Sequence, residues 1–589
     1  MKLLLDLPAL ILALAIQIGV YNFSGQAKAA SLPHDTPERH GISGQSLEEF
    51  TKIVSGLVAN DQIVGAEVVM VKDSCVVYHE TFGWKDREDS RPMQKNSYFN
   101  IRSMTKPITG AAIQILIDEG KLKLTDKAAD YLPGFRNDKS KDITIEQLLT
   151  HHSGLPLTIL TGFADYNDIQ TMADSIGHSG PTRIPGAEFW YSDAGVDALA
   201  AIVERVSGEK LEAFVQDHLL GPLGMNNTVY FTKRTEHKPI SIVSLYYQAN
   251  GKWTKYWKEG NEPLYSCPWG SQSIYSTPLD YAKFLSMWIR NGTVGNHVIL
   301  SPEAIKRTLT PVSPMKSLGV DMQYLTGFPH HKVYHGQLAM LFVDTTTSQT
   351  TAVGYGGSDG TFAWAWPDKD LIVLYFTQSR GQATGLRLES EIYRLFVDTT
   401  QGTSDQIIEE EMAPFLGIYS FDASALQGPK FRIVVQNNCL ALDIPGQMIF
   451  ELNPPNESGW RCFKVLDLSS VRFEADSTGD ITRMLFRQDT PFPLKPGSTD
   501  SAGMDENLGR YLGEFLLPMD QGTIRTVIEN NRLKITTPQG GMIELAKTEG
   551  EEGWSIDSDP NRQLVFQFDV SGKLTGMMLK EISPMYPCD

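Results

Sequence analysis

The sequence is poor in cysteine, in positive charge and in long apolar runs. Its 589 residues include five cysteines, and no two of them form a C-x-x-C pair. So sparse a set excludes a disulfide scaffold and a zinc ribbon. Cys439 and Cys462 are close enough in sequence to pair inside one small domain, and the odd count leaves at least one thiol unpaired within the chain.

Basic residues are outnumbered by acidic ones. The 52 Lys and Arg residues against 70 Asp and Glu residues give a net charge of −18. Such a field repels phosphate backbones and anionic lipid, so we expect no nucleic-acid partner. The 41% of hydrophobic and 21% of charged residues are typical of a globular chain and exclude a disordered one.

Beyond the N-terminus no stretch reaches 18 apolar residues, so we expect no stable membrane span in the mature chain. The N-terminus itself is typical of a signal peptide over residues 1–29. Lys2 supplies a charge, Ala9–Val20 is apolar, and Ala27–Ala29 forms an A-x-A site with cleavage near Ala29. This pattern predicts a periplasmic or secreted protein, with a short membrane anchor as the alternative. The first cysteine is Cys75, which excludes a lipid-anchored start.

Apolar periodicity up to about residue 400 mixes strands and helices. Pairs of apolar runs around short polar turns predict two β-hairpins, residues 65–71 with 75–78 and residues 362–366 with 371–376. Spacings of i, i+3, i+4 and i+7 predict helices over residues 108–116 and 196–206. Together they predict an α+β domain over residues 31–405, in which early and late strands share one sheet.

After Met412 the chain contains an internal repeat. The segment Asn437–Leu440 matches Asn530–Leu533, and Gly479–Ile481 matches Gly572–Leu574, both at an offset of 93 residues. Short strands and turn residues dominate both copies. The repeat predicts two small antiparallel β-barrel domains, residues 412–495 and 505–583.

Three segments have the pattern S-x-x-K, beginning at Ser103, Ser207 and Ser313. Only Ser103 opens an apolar-faced helix, where the i, i+3 spacing places it and Lys106 on one face. A buried lysine there can lose its proton and act as base to the serine, and the helix start favours a developing oxyanion. The structural alternative is a capping serine beside a solvated lysine.

Four segments around and beyond Ser103 occur in the order of a known family. They are Phe99–Pro107, Ile143–Leu155, Trp190–Gly195 and Tyr355–Gly360. Together they resemble the motifs of serine β-lactamases and penicillin-binding proteins, including class C β-lactamases, family VIII carboxylesterases and D-aminopeptidases, over roughly residues 38 to 400. The resemblance implies the β-lactamase-like fold, an antiparallel sheet flanked by helices with a helical subdomain and the site between them.

The resemblance also implies roles for individual residues. Ser103 matches the nucleophile, Lys106 its base, and Tyr191 a second base or proton shuttle. The backbone N–H of Ser358 would join that of Ser103 as the oxyanion hole. Gly357 would let substrate approach the strand closely.

Two positions depart from the family's motifs. Tyr355 stands where the family usually has a lysine or histidine cation, and Asp193 stands where it has an asparagine. Asp193 either caps the following helix or faces the site. In the second case it would hold Lys106 charged and leave more of the proton transfer to Tyr191.

Two competing interpretations fail on the residues present. Gly356–Gly360 spells G-x-S-x-G, but the hydrolase elbow requires a catalytic histidine after the serine, and the last histidine is His335. His151-His152 and His330-His331 lack the spacing of a metal motif such as H-E-x-x-H, so they are interpreted as structural or surface residues and no metal or cofactor is expected.

The sequence therefore predicts an exported serine hydrolase that forms an acyl-serine and acts on a small ester, amide or peptide. A carboxylesterase for neutral esters is the preferred interpretation. A D-amino-acid peptidase or amidase and a β-lactamase are the enzyme alternatives, and a penicillin-binding sensor that acylates without turnover is the non-enzyme alternative. The oligomeric state is left open.

Overall fold

A computed structural model describes most of the chain from Leu32 onwards. The described residues are 32–158, 166, 168–235, 241–249, 252–295, 297–317, 320–321, 331–380, 388–389, 391–398, 412–421, 430–436, 439–444, 449–463, 468–493, 508–516, 523–536, 541–548, 553–556, 559–569 and 571–588. The predicted signal peptide, residues 1–29, and His330 lie outside them.

Most helices of the described residues lie before residue 310, and further helical residues occur between 388 and 397. Those before residue 310 are α1 Gly44–Ala59, α2 Thr105–Asp118, α3 Ala128–Tyr131, α4 Ile145–Leu149, α5 Ile169–Ser179, α6 Asp193–Ser207, α7 Leu211–Val215, α8 Gly221–Leu223, α9 Pro278–Ile289 and α10 Pro302–Thr308. The predicted helices over 108–116 and 196–206 correspond to α2 and α6. In the part of the chain that the structure describes, we find no helix with both the length and the apolarity needed to cross a membrane.

The strands before residue 400 are β1 Gly65–Lys72, β2 Cys75–Asp86, β3 Arg91–Pro92, β4 Phe99–Asn100, β5 Val229–Tyr230, β6 Leu245–Ala249, β7 Lys252–Trp257, β8 Ile274–Ser276, β9 Thr293–Val294, β10 His297–Val298, β11 Ser313–Pro314, β12 Lys316–Ser317, β13 Val320–Asp321, β14 His331–His335, β15 Met340–Asp344, β16 Thr350–Gly357, β17 Thr361–Trp366, β18 Leu371–Thr377 and β19 Ser379–Arg380. Both predicted hairpins are present, as β1–β2 and β17–β18.

Nine of these strands form one sheet in the order β11-β14-β15-β16-β17-β18-β1-β2-β3. β1, the earliest of these strands in the chain, pairs with β18, the latest. The two are antiparallel, from Ala66–Thr377 to Lys72–Leu371. This confirms the predicted α+β layer in which early and late strands share one sheet.

The central sheet separates two hydrophobic layers. Along β1 successive side chains point to opposite faces. Val69 and Val71 pack into the core that contains α2, α6 and α9, whereas Val68 and Met70 pack into a second core under α1. Both faces of β1 are therefore buried, which explains its unbroken apolar run.

The C-terminal strands are β20 Gly417–Ser420, β21 Lys430–Gln436, β22 Cys439–Asp443, β23 Ile449–Glu451, β24 Arg461–Cys462, β25 Ser469–Ala475, β26 Ile481–Pro493, β27 Glu514–Leu516, β28 Thr523–Glu529, β29 Arg532–Thr536, β30 Met542–Lys547, β31 Gly553–Ile556, β32 Asp559–Phe568 and β33 Leu574–Cys588. All fourteen belong to one connected sheet. The first seven and the last seven strands have separate hydrophobic cores.

The β-rich repeats are confirmed, but their described strands do not divide into two separate closed barrels. The long strand β33 belongs to both copies, since it pairs with β32 of the second copy and with β20 and β26 of the first. Gln488 of β26 faces Glu581 of β33, its equivalent at the 93-residue offset. The pairing of β26 with β33 is therefore symmetric with respect to the repeat, with this pair of residues at its centre.

The proposed pairing of Cys439 with Cys462 is wrong. The structure shows no disulfide bond between them, and Cys75 and Cys267 are free thiols. Cys439 Sγ instead lies 3.7 Å from Glu451 Oε2, a carboxylate on the neighbouring strand β23.

Candidate active site

Ser103 lies in a single 3₁₀ turn, Arg102–Met104, directly before α2. The preceding residue, Arg102, has a φ of 47°, a left-handed conformation that is uncommon outside glycine. The turn leaves Ser103 half-buried, while Lys106 on the first turn of α2 is completely buried. The alternative of a solvated lysine is therefore wrong.

The Lys106 ammonium group has three oxygen neighbours. Its Nζ donates to Ser103 Oγ at 3.0 Å and to the Ser271 carbonyl at 3.2 Å, and it lies 2.7 Å from Asp193 Oδ1. Burial lowers the pKa of Lys106, but the charge of Asp193 and then Tyr191 outweigh burial, so that the pKa is raised above its ordinary value. Lys106 is a charged ammonium at neutral pH in this arrangement.

The structure decides between the two interpretations of Asp193. The cap of α6 is Ser192, whose Oγ accepts from the Gly195 backbone N–H at 2.9 Å. Asp193 is therefore not needed as a cap and faces the site. Its Oδ2 accepts from Gln272 Nε2 at 2.5 Å, while Oδ1 meets Lys106.

Tyr191 lies against the ammonium group and leads to a buried polar chain. The Tyr191 ring centroid is 4.9 Å from Lys106 Nζ, and Tyr355 Oη is 3.5 Å from Tyr191 Oη. Tyr355 Oη is in turn 3.2 Å from His335 Nε2. His335 Nδ1 donates to the Gly336 carbonyl at 3.1 Å, so Nε2 is the acceptor from Tyr355.

The histidines of this wall are buried and neutral. Burial lowers the pKa of His335 to about 4 and that of His151 well below its ordinary value. His151 Nδ1 accepts from the Ser192 backbone N–H at 3.2 Å, and its ring lies 4.6 Å from that of Tyr191. Among the described residues His151 Nε2 has no hydrogen-bond partner. His152, which follows His151 in the sequence, is half-buried, and its Nε2 lies 2.9 Å from Ser313 Oγ.

A loop between β7 and β8 completes the lysine pocket, and the sequence did not reveal it. Gly270 packs so closely against α6 that an added Cβ would lie 2.7 Å from the Val196 carbonyl. The next two residues, Ser271 and Gln272, contact Lys106 and Asp193. The Ser271 backbone N–H donates at 3.0 Å to Asp197, a buried carboxyl one turn along α6 from Asp193. Burial and the charge of Asp193 raise the pKa of Asp197 to about 7.

The segment Tyr355–Gly360 begins in β16, which lies beside the Ser103 turn. An added Cβ on Gly357 would lie 2.4 Å from the Ile101 carbonyl, so only glycine allows this strand to approach the turn. Ser358 follows as an exposed residue of the tight turn into β17. No helix follows Ser358, in agreement with our rejection of the hydrolase elbow.

Two arginines flank Asp359, the residue after Ser358. Arg102 Nε donates to Asp359 Oδ2 at 2.9 Å, and Arg380 Nη1 donates to Oδ1 at 3.2 Å. Arg102 is buried and also donates to the hydroxyl groups of Tyr256 and Tyr265, whereas the Arg380 side chain is 43% exposed. Neither arginine was selected from the sequence.

The other two S-x-x-K segments do not form comparable sites. Ser207 is the last residue of α6, and its Oγ donates to the Val203 carbonyl at 2.7 Å. Lys210 Nζ lies 3.4 Å from Glu204 at the surface. Ser313 lies on the edge strand β11.

Comparison with known proteins identifies the family. The family model described as Beta-lactamase matches residues 50–395, more than half of the chain, and the chain belongs to that family. Protein Rv1367c of Mycobacterium tuberculosis is 30% identical over 339 residues, which are 50% of this chain and 81% of the relative. Protein flp of Staphylococcus aureus strain MW2 is 29% identical over 264 residues, 42% of this chain and 49% of flp, so the chain spans about half the length of that relative.

Two solved structures share the fold. The octameric penicillin-binding protein homologue from Pyrococcus abyssi has a TM-score of 0.53 at 19% identity and covers 84% of this chain and 99% of its own. EstCE1, described as a hydrolase with promiscuous acyltransferase activity, has a TM-score of 0.50 at 21% identity and covers 60% of this chain and 99% of its own. The fold is thus the β-lactamase-like one of this serine hydrolase family.

Proposed function

We propose that this protein is an exported carboxylesterase that hydrolyses neutral esters through an acyl-Ser103 intermediate. The observation that supports it most directly is the contact of Lys106 Nζ with Ser103 Oγ at 3.0 Å inside a completely buried lysine pocket. Nucleophilic catalysis by serine requires a hydroxyl group held in position next to a group that can take its proton. In this proposal Lys106 holds the hydroxyl group and Tyr191 takes the proton.

In the first half-reaction Ser103 Oγ loses its proton and bonds to the ester carbonyl carbon. The backbone N–H groups of Ser103 and Ser358 would stabilise the oxyanion. The carbon–alkoxide bond then breaks, the alcohol leaves with the proton, and acyl-Ser103 remains. In the second half-reaction water attacks the acyl carbon, releases the carboxylic acid and returns the proton to Ser103.

The raised pKa of Lys106 favours Tyr191 over Lys106 as the group that takes the proton of Ser103. Asp193 holds Lys106 as an ammonium group, so Lys106 cannot accept a proton until that charge pair is broken. Lys106 instead stabilises the negative charge that develops on Ser103 Oγ, while the Tyr191 hydroxyl group takes the proton of Ser103 as it passes its own proton to the departing alkoxide. Tyr355 and His335 act as positioning residues, because they fix the hydroxyl group behind Tyr191.

The preference for neutral esters rests on the charges around the pocket. Tyr355 stands where the family usually has a lysine or histidine cation. It is buried and hydrogen-bonded to a neutral His335. Lys106 is paired with Asp193. Beside Lys106 and Tyr355, the described residues would therefore offer a substrate carboxylate no unpaired cation, and one lost ion contact costs on the order of 2 kcal/mol in a desolvated site.

The β-lactamase alternative is favoured by one specific observation. Arg102 and Arg380 both contact the carboxylate of Asp359, the residue after Ser358, and the Arg380 side chain is 43% exposed. The partly exposed Arg380 is the group that would bind the carboxylate of a penicillin or of a D-Ala peptide. The test below also addresses the sensor alternative, and a D-Ala peptide added to the same comparison addresses the peptidase alternative.

The test compares kcat/KM for a p-nitrophenyl ester of a short neutral acid with that for nitrocefin, using one preparation. We expect the ester to be hydrolysed at least tenfold faster, since 1.4 kcal/mol corresponds to a factor of ten. Faster nitrocefin hydrolysis that Arg380→Gln abolishes would establish the β-lactamase alternative. One equivalent of product without further turnover would establish the sensor.

We further propose that the protein is exported. We also propose that the C-terminal repeats are accessory to this chemistry. Removal of residues 1–29 would leave a mature chain whose catalytic domain extends to about residue 405. The repeats, proposed as domains over residues 412–495 and 505–583, contribute no residue to the Ser103 pocket among the described contacts. Covering the cleft and limiting substrate size is the role we propose for one of them.

A further inference from the structure

At the turn of the β1–β2 hairpin, Cys75 lies close to Asp35 and His40 from the segment before α1. All three side chains are of types that can bind a metal ion. The N-terminal segment is tied to the start of β2, because Val76 N donates to the Pro33 carbonyl at 2.7 Å and Asp35 N donates to the Val76 carbonyl at 3.2 Å. These bonds place Asp35 beside Cys75. A 3₁₀ turn, Pro37–His40, then returns the chain so that His40 faces both.

Asp35, His40 and Cys75 place their donor atoms close to one another. A carboxylate oxygen, an imidazole nitrogen and the thiol sulfur all lie within 4.8 Å of one another, and each residue is partly buried. His40 Nε2 and Asp35 Oδ2 are 3.3 Å apart. Two ligands of a tetrahedral zinc ion, each about 2.05 Å from the metal, are separated by about 3.4 Å.

The remaining polar atoms of the carboxylate and imidazole ligands are already occupied. Asp35 Oδ1 accepts from Thr36 N at 2.8 Å and from Arg39 Nη1 at 3.2 Å, which directs Oδ2 inward. His40 Nδ1 lies 3.0 Å from Asp73 Oδ2. A carboxylate on the far nitrogen of a ligating histidine is the usual outer partner that fixes ring orientation in zinc sites.

We propose that Asp35, His40 and Cys75 bind one zinc ion, with Asp73 as the outer partner of His40 and water as the fourth ligand. A thiolate, an imidazole and a carboxylate form a donor set that suits zinc, whereas calcium and magnesium prefer oxygen ligands alone. The alternative, a histidine bridging Asp35 and Asp73 as an ion pair, gives no role to Cys75.

The ion would fasten the N-terminal segment to β2. It would cross-link residues 35, 40 and 75 and would stabilise the folded state by binding it selectively. No motif reveals this site, because the spacings of 4 and 34 residues between its ligands belong to no zinc-binding sequence pattern. The proposal is independent of the function proposed for Ser103.

The experiment titrates the full-length, chelator-treated and reduced protein with Co²⁺, which gives an intense charge-transfer absorption only when a thiolate binds it. We expect one equivalent of Co²⁺ to bind with this absorption and Zn²⁺ to displace it. Cys75→Ser should remove the absorption. The matched control Cys439→Ser should retain it, since Cys439 also adjoins a carboxylate but belongs to a different part of the fold.

Asp73→Asn keeps all three ligands and should weaken Zn²⁺ binding tenfold to a hundredfold, the usual effect of losing an outer partner. This variant keeps the test decisive if Cys75→Ser does not fold. The proposal is overturned if the wild-type protein shows no thiolate absorption at one equivalent of Co²⁺. It is equally overturned if the absorption survives Cys75→Ser or if Asp73→Asn binds Zn²⁺ as tightly as the wild type.

Discussion

Asp193 Oδ1 lies 2.7 Å from Lys106 Nζ in the interior of the site. The carboxylate stands at a position where the resembling motif has a neutral asparagine, so it changes the charge state of the lysine as well as its hydrogen bonding. The attraction of Asp193 outweighs burial and raises the pKa of Lys106, and under our proposal Tyr191 therefore takes the proton of Ser103.

Asp193→Asn is expected to lower the pKa of Lys106, because burial remains while the attraction of the carboxylate is lost. Lys106 should then act as a base, and the acidic limb of the kcat/KM profile for ester hydrolysis should move to lower pH by one unit or more. Asp368→Asn removes the same charge at an exposed turn and is the control. An unchanged profile in Asp193→Asn would disprove the control of Lys106 by Asp193.

Tyr191→Phe tests the same relationship from the other side. Loss of the proton acceptor is expected to reduce kcat about a hundredfold or more in the wild-type background. In the Asp193→Asn background the loss should be clearly smaller, because Lys106 can replace Tyr191. Equal losses in the two backgrounds, measured as a double-mutant cycle, would contradict this division of roles.

Tyr355→Phe removes the hydroxyl group between Tyr191 and His335. We expect kcat to fall about tenfold with KM little changed, since one buried hydrogen bond contributes about 1 kcal/mol or somewhat more. His335→Gln retains a polar group beside Tyr355 and should be less affected than His335→Ala. The kcat values of the two His335 variants are compared at a temperature at which both variants are equally folded. A loss confined to KM would show that Tyr355 binds substrate instead of positioning Tyr191.

Asp197→Asn is expected to stabilise the protein at alkaline pH. The folded-state pKa of about 7 exceeds the ordinary value of 3.8, so the folded state binds more protons between these limits and loses stability as the pH rises through them. The variant escapes this loss, which amounts to at most about 4 kcal/mol at about 1.4 kcal/mol per pKa unit. Its Tm should exceed that of the wild type at pH 8 and match it at pH 4. An equal Tm at both pH values would contradict the raised pKa.

A chain that ends near Thr400 should fold and keep a reactive Ser103. The two cores of the catalytic region draw on residues up to 397, and the cores of the repeats draw on residues from 412 onwards. Labelling by a small fluorophosphonate should proceed within threefold of the full-length rate, and bulky esters should be accepted at least as well. If a soluble, folded truncation failed to react, the repeats would be required to complete the site.

Local patterns predicted those parts of the molecule that depend on local order. The hairpins β1–β2 and β17–β18 and the helices α2 and α6 follow from strand alternation and helical spacing. The contact of Lys106 with Ser103 follows from the i, i+3 spacing on a helical turn.

The rest depends on tertiary contacts that no local pattern contains. Ser271 and Gln272 reach Lys106 and Asp193 from a loop without periodicity, and Asp197 of α6 accepts a hydrogen bond from Ser271 of the same loop. His335 reaches Tyr355 across an intervening strand, and its register could not be read from the sequence. The sharing of β33 between the repeats requires pairing with β20, about 170 residues earlier in the chain.

The most direct test of the account is the identity of the residue that a small fluorophosphonate labels, determined by peptide mapping of the intact enzyme. We predict a single adduct on Ser103, its absence in Ser103→Ala together with loss of ester turnover, and its retention in Ser358→Ala, because only the backbone N–H of Ser358 is required. An adduct on Ser358, or ester turnover that survives Ser103→Ala, would contradict the account.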